Sequence, residues 1–117
     1  GGWQNCLFSK CTILPIPCFR DRIPVIVDKV TTLCGPGELI DVVITERGIA
    51  INPLRQDLMD KMHGSSLPIV DIHDLQAEVE DICGGKPQPP KTGDKVVAAI
   101  KWVDGTIIDC VKSVGGN

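Results

Sequence analysis

Few side chains in this 117-residue chain are of types that do chemistry, and the best candidates fall between Glu46 and Arg55. Glu46 is a carboxylate of the kind used in acid, base or nucleophilic catalysis. Arg47 beside it and Arg55 further on carry guanidinium forks that match a carboxylate in bidentate fashion. The competing reading of Glu46 and Arg47 is an exposed turn pair contributing ~0–1 kcal/mol to stability. At the chain start, Gly1-Gly2 could bring backbone N–H groups up to an anion or a carbonyl oxygen, but so short a motif also suits a frayed terminus. The serines (Ser9, Ser65, Ser66, Ser113), six cysteines and two histidines (His63, His73) assemble by spacing into no set of nucleophile, base and orienting group. No CxxC occurs and both histidines lie far from any cysteine pair, so no metal site is expected.

The elements around these residues are those of an α/β chain. Ile40–Thr45 is an apolar, β-branched run suited to a strand buried on both faces, and Glu46, Arg47 and Gly48 follow at its end. Ile49-Ala50-Ile51 is a second short apolar run. Asn52 then suits a helix cap and Pro53 the first helical position, ahead of Leu54, Leu58 and Met62 at helical spacing. In open α/β sheets ligands bind beyond the carboxyl ends of strands, which is where Glu46 and Arg47 fall.

Upstream, residues 1–10 lack periodicity and read as a glycine-led loop. Residues 11–16 read as a strand closed by prolines, and Ile23–Val27 as a second buried strand, the expected neighbour of Ile40–Thr45. Downstream, Leu67–Val70 is a short strand candidate. Asp71 caps a helix whose buried stripe would be Ile72, Leu75, Val79 and Ile82, ended by Gly84-Gly85. Finally, Asp104-Gly105 predicts a two-residue hairpin turn that sets Trp102 opposite Ile107, Ile100 opposite Asp109 and Ala98 opposite Val111.

Composition narrows the function classes. A net charge of −3, no run of basic residues and only four aromatic side chains argue against nucleic acid as a partner. No apolar stretch approaches the ~18 residues of a membrane-spanning helix, so no membrane partner is expected. The cysteines fall on core-like positions and read as free thiols of a cytoplasmic protein. On residue chemistry alone the reading stops at an α/β piece of unresolved function.

Several runs nonetheless carry a family signature: Ile23–Thr32, Pro36–Glu38, Ile40–Pro53, Leu67–Val70 and the closing 95–109 hairpin. In this order they resemble the C-terminal part of the citrate lyase alpha chain, a citrate CoA-transferase. The resemblance implies a NagB/RpiA/CoA-transferase-like α/β fold, with a mostly parallel sheet, flanking helices and a C-terminal β-hairpin. Residues 1–117 would form the C-terminal portion of the second such domain. The implied reaction moves an acyl-carrier or CoA thiol from an acetyl thioester to citrate, giving citryl thioester and acetate in citrate breakdown. The prosthetic thiol or CoA would be a substrate of the whole enzyme, with no cofactor held by this segment. The beta and gamma (acyl carrier) subunits of citrate lyase are the implied partners. Under this reading Glu46 is the catalytic candidate, either orienting substrate or fixing the strand–turn geometry. Gly1, Gly2, Arg47, Asn52 and Arg55 are the candidates for binding substrate or CoA. The isolated segment is expected to be inactive, because the first domain would supply much of the pocket. The alternative is a non-catalytic scaffold or interaction domain that keeps the fold.

Overall fold

The computed structural model describes residues 2–115, so Gly1, Gly116 and Asn117 lie outside the described residues. The chain divides into two compact units. One comprises the residues up to Asp28 together with Glu38–Pro87; the other comprises Lys29–Gly37 and the residues from Gln88 onward.

The first unit is built on a three-stranded sheet of β1 (Ile13–Pro15), β4 (Val42–Thr45) and β5 (Gly48–Ile51), in the order β1-β4-β5. β1 runs parallel to β4, but β4 and β5 are antiparallel, so the sheet is mixed and not mostly parallel. The reason lies in the connection. Thr45 pairs with Gly48, leaving only Glu46 and Arg47 to turn the chain, whereas a parallel pairing needs a crossover of a dozen or more residues. Pro15 is tolerated in β1 because Ile16 N–H donates to Ile44 O, which turns the position of the missing Pro15 N–H to the free edge of the sheet.

The expected pairing of Ile23–Val27 with Ile40–Thr45 does not form. Only Ile23–Pro24 is extended (β3), and it pairs antiparallel with β2 (Phe19–Arg20) across a turn at Asp21-Arg22. Asp21 takes a left-handed φ of 53°, a conformation aspartate tolerates better than most residues. Residues 2–10 also differ from the loop expected of them, because Gly2–Phe8 forms a helix, α1. It buries none of its residues, which is why no apolar period marked it in the sequence.

The helix after β5 begins later than Asn52-Pro53 predicts, as α2 (Gln56–Met62). Asn52 is occupied otherwise: its Oδ1 accepts from Leu54 N–H at 3.0 Å and its Nδ2 donates to Ile40 O at 3.0 Å. α3 (Ile72–Cys83) is capped as the sequence predicts. Asp71 accepts from His73 N–H, and Gly84 sits at a left-handed φ of 84° while Gly84 and Gly85 N–H return to the Asp81 and Glu80 carbonyls. Its inward row is Leu75, Val79 and Cys83, whereas Ile72 and Ile82 stay 36% and 47% exposed. Leu75 and Val79 join Cys18 and Ile26 as the core, ringed by Ile16, Phe19, Val43, Val70 and Cys83.

The second unit is a hairpin of β6 (Thr92–Lys101) and β7 (Ile107–Val114). Its turn contains three residues, one more than predicted: Trp102 N–H donates to Thr106 O, and Gly105 takes the left-handed position with φ 92°. Lys101 therefore faces Ile107. An irregularity at Ile100/Lys101 restores the predicted pairs Ile100–Asp109 and Ala98–Val111. All six cysteines are unpaired thiols.

Candidate functional site

Glu46 and Arg47 form the β4–β5 turn, and neither has a positive φ. The turn is therefore not one of the primed types that match strand twist, and a side chain clips it instead. Thr45 Oγ1 donates to Gly48 O at 2.9 Å and accepts from Arg47 N–H at 3.2 Å. Gly48 is required here by close approach. A Cβ on it would lie 2.7 Å from Val70 Cγ2, in the segment where Ile49 N–H donates to Pro68 O and Val70 N–H donates to Ile49 O.

The two turn side chains point to different partners. Both Glu46 oxygens accept from the Cys18 backbone N–H, at 3.0 and 3.1 Å. Cys18 is fully buried in the core, so this carboxylate ties the turn to the chain that enters the core. The Glu46 carboxyl is held below its ordinary pKa, first by its own backbone N–H and, against the opposing effect of desolvation, by that of Cys18. It is ionised at neutral pH and suited to accepting hydrogen bonds, not to donating a proton. Burial pushes the Cys18 thiol up, and the Glu46 charge adds to this, so Cys18 is a poor nucleophile. Arg47 donates from Nε and Nη2 to Glu78 Oε1 on α3, at 2.9 and 2.6 Å, in an exposed pair.

Asn52 and Arg55 gather at the other end of the sheet. Arg55 Nε and Nη2 grip Asp57 in bidentate fashion at 2.9 Å each, while Nη1 reaches Lys10 O and Asp41 Oδ1, both at 3.0 Å. Four contacts occupy a group with five N–H donors. Asp41 is only 8% exposed, and its second oxygen accepts from Thr12 N–H at 2.7 Å. Arg55 holds the Asp57 carboxyl down at about 2.

The predicted site residues thus fall into two clusters, at opposite ends of β4. Four strand residues and their flanks put roughly 15 Å between Glu46 and Asn52. Gly2 opens α1, and a Cβ added there would meet nothing within 4 Å, so steric fit among the described residues does not demand a glycine. Gly1 lies outside them. Sequence reasoning missed Cys18, Asp41, Thr45, Asp57 and Glu78 as partners. The sole advance signal was the rarity of a carboxylate beside an apolar β-branched run, as at Asp41-Val-Val. Among the described residues no group of three or more His, Cys, Asp or Glu side chains could hold a metal ion.

Residues 1–114 match the family model for citrate lyase, alpha subunit (CitF). The chain belongs to the citrate lyase alpha subunit family. It is 44% identical over 106 residues to the citrate lyase alpha chain of Klebsiella pneumoniae, covering 91% of this chain and 21% of that one. Against the alpha chain of Escherichia coli K12 it is 35% identical over 114 residues, covering 97% of this chain and 22% of the relative. A crystal structure from Streptococcus mutans, assigned as the alpha subunit of citrate lyase and solved in complex with citrate, superposes with a TM-score of 0.86. It shares 44% identity, over 91% of this chain and 21% of that one. The chain thus spans about a fifth of the length of these relatives. The likeness takes in 91% of this mixed α/β chain, which among the described residues has small sheets and three α-helices.

Proposed function

We propose that this chain is the C-terminal portion of the second CoA-transferase-like domain of a citrate lyase alpha subunit, with the NagB/RpiA type of fold. The whole subunit would move the thiol of an acyl carrier protein, or of CoA, from an acetyl thioester to citrate. The C–S bond to acetyl breaks, and one oxygen of a citrate carboxyl passes to the acetyl carbon and leaves with it as acetate. The citrate acyl carbon, its C–O bond broken, takes the thiol as citryl thioester, with no net consumption of water. The observation that carries this reading is the match over residues 1–114, supported by a relative that binds citrate. The beta and gamma subunits would be its working partners in the cytoplasm. Among the described residues no helix is long and apolar enough to cross a membrane.

Within that reading, Glu46 acts on the reaction through geometry. Its ionised carboxylate fixes the turn against Cys18 N–H, and Asn52 with Arg55 fixes the opposite end of β4. Transfer between two thioester partners depends on holding both at reacting distance, and such positioning contributes ~7–11 kcal/mol to lowering a barrier. One sheet with its arginines already engaged supplies a wall of that pocket and not the whole of it. The test is to supply the longer subunit with acetyl-CoA and citrate and to measure acetate and citryl thioester together. Equal yields are expected; acetate released without citryl thioester would mean hydrolysis and would overturn the transfer reading.

A further inference from the structure

The two methionines of the chain, Met59 and Met62, and one of its two histidines, His63, fall within five residues. They stand at positions i, i+3 and i+4 of α2 and its cap, a spacing that puts side chains on one face of a helix. The His63 N–H still donates to Asp60 O at 3.3 Å, which keeps His63 in the last turn. The chain then folds back: Gly64 takes a left-handed φ of 79°, and Ser65 N–H donates to Met62 O at 3.0 Å. This leaves an open cavity of about 290 Å³ lined by Met59, Met62 and His63 and walled beyond them by Leu67 and Ile69. No carboxylate, lysine or arginine lines it. The methionines do not serve the core, because α2 buries none of its residues and Met59 is 40% exposed.

We propose that Met59, Met62 and His63 form a binding site for a soft monovalent metal ion of the Cu(I) type. Two thioethers and a neutral imidazole make an uncharged donor set. Thioether sulfur suits neither Mg²⁺ nor Ca²⁺, which take oxygen donors, and Zn²⁺ is held by thiolate, imidazole and carboxylate. Soft sulfur donors select Cu(I), and imidazole accompanies them readily. Methionine side chains are unbranched, with three rotatable bonds, so those of Met59 and Met62 can bring their sulfurs to one point from adjacent turns. The open cavity gives the ion a route from solvent. Cysteine and histidine spacing gives no sign of such a site, because two of its three donors are thioethers.

The test uses the longer subunit with its methionine methyl groups isotope-labelled for NMR. The exposed thiols Cys11 and Cys34 are first capped with iodoacetamide, so that they do not take the ion. Ag(I), a redox-stable stand-in for Cu(I), is then titrated in, and Met59→Leu and Met62→Leu assign the two methyl signals. Both signals are expected to shift together and to saturate at a single Ag(I). Affinity should fall at least about tenfold in Met59→Leu, in Met62→Leu and in His63→Ala, since losing a group that merely orients a ligand already costs ~10–100-fold. His73→Ala, on α3, should bind as wild type does. Because α2 buries none of its residues, these substitutions leave the core intact, and methyl shifts of the wild-type protein need no variant to fold. Signals of Met59 and Met62 that stay in place, with Ag(I) unbound or taken by other thiols, would overturn the proposal. An affinity unchanged by His63→Ala would overturn it as well, because the three side chains would then not act as one site.

Discussion

Removing the Arg55 guanidinium while keeping its stem, as Arg55→Met, probes a largely buried ionic contact, that with Asp41. The magnitude follows from what is left behind. Asp41 is 8% exposed and would lose its Nη1 donor, keeping only Thr12 N–H on its other oxygen. Breaking a fully buried pair costs ~3–5 kcal/mol. Because the Arg55 side chain retains 23% exposure and Asp41 keeps one hydrogen bond, about 2–3 kcal/mol is expected here. The Asp57 half of the grip adds little, since that carboxylate is exposed and water replaces the arginine. Urea unfolding of wild type, Arg55→Met, Asp41→Asn and the double variant gives a cycle, with an expected coupling of ~1–3 kcal/mol. Arg47→Met is the internal control: its Glu78 partner is exposed, and a loss of ~0–1 kcal/mol is expected. A loss at Arg55 no greater than at Arg47, or a coupling near zero, would refute the reasoning.

Three further outcomes follow from the same geometry. Gly48→Ala should destabilise the protein by ~1–3 kcal/mol in the same unfolding assay, because the new Cβ meets the stiff, branched Val70; adding Val70→Ala should recover part of the loss. Leu75→Ala should cost ~2–5 kcal/mol, with the slope against denaturant unchanged. The Glu46 carboxyl is lowered from 4.5 on folding, so its contribution is full above that value and is lost as pH falls through the folded pKa; the stability gap between wild type and Glu46→Gln should be flat near neutrality and close as the pH falls below 4.5.

Legibility in the sequence followed how local each determinant was. α3 was readable with both caps because Asp71, the helical period and Gly84 all act within one turn of where they appear. The hairpin was readable in its strands but not in its turn: Asp104-Gly105 suits a two-residue loop, and only the paired geometry shows Val103 drawn into it. Ile40–Thr45 was apolar enough to mark a strand, yet its partners were not visible. They were set by a two-residue connection on one side and by residues 13–15 from far upstream on the other. The candidate residues were of the right types, but their use depended on distant groups. Arg47 reaches Glu78, thirty-one residues on, and Arg55 reaches Lys10, forty-five residues back. No spacing rule records such pairs.

The most direct test of the account is the rate of acetate release from acetyl-CoA and citrate by the 117-residue chain, set beside that of the longer subunit containing it. The longer subunit should exceed the isolated chain by orders of magnitude, because the positioning that drives transfer is shared with the rest of the subunit. Comparable turnover by the 117 residues alone would contradict it.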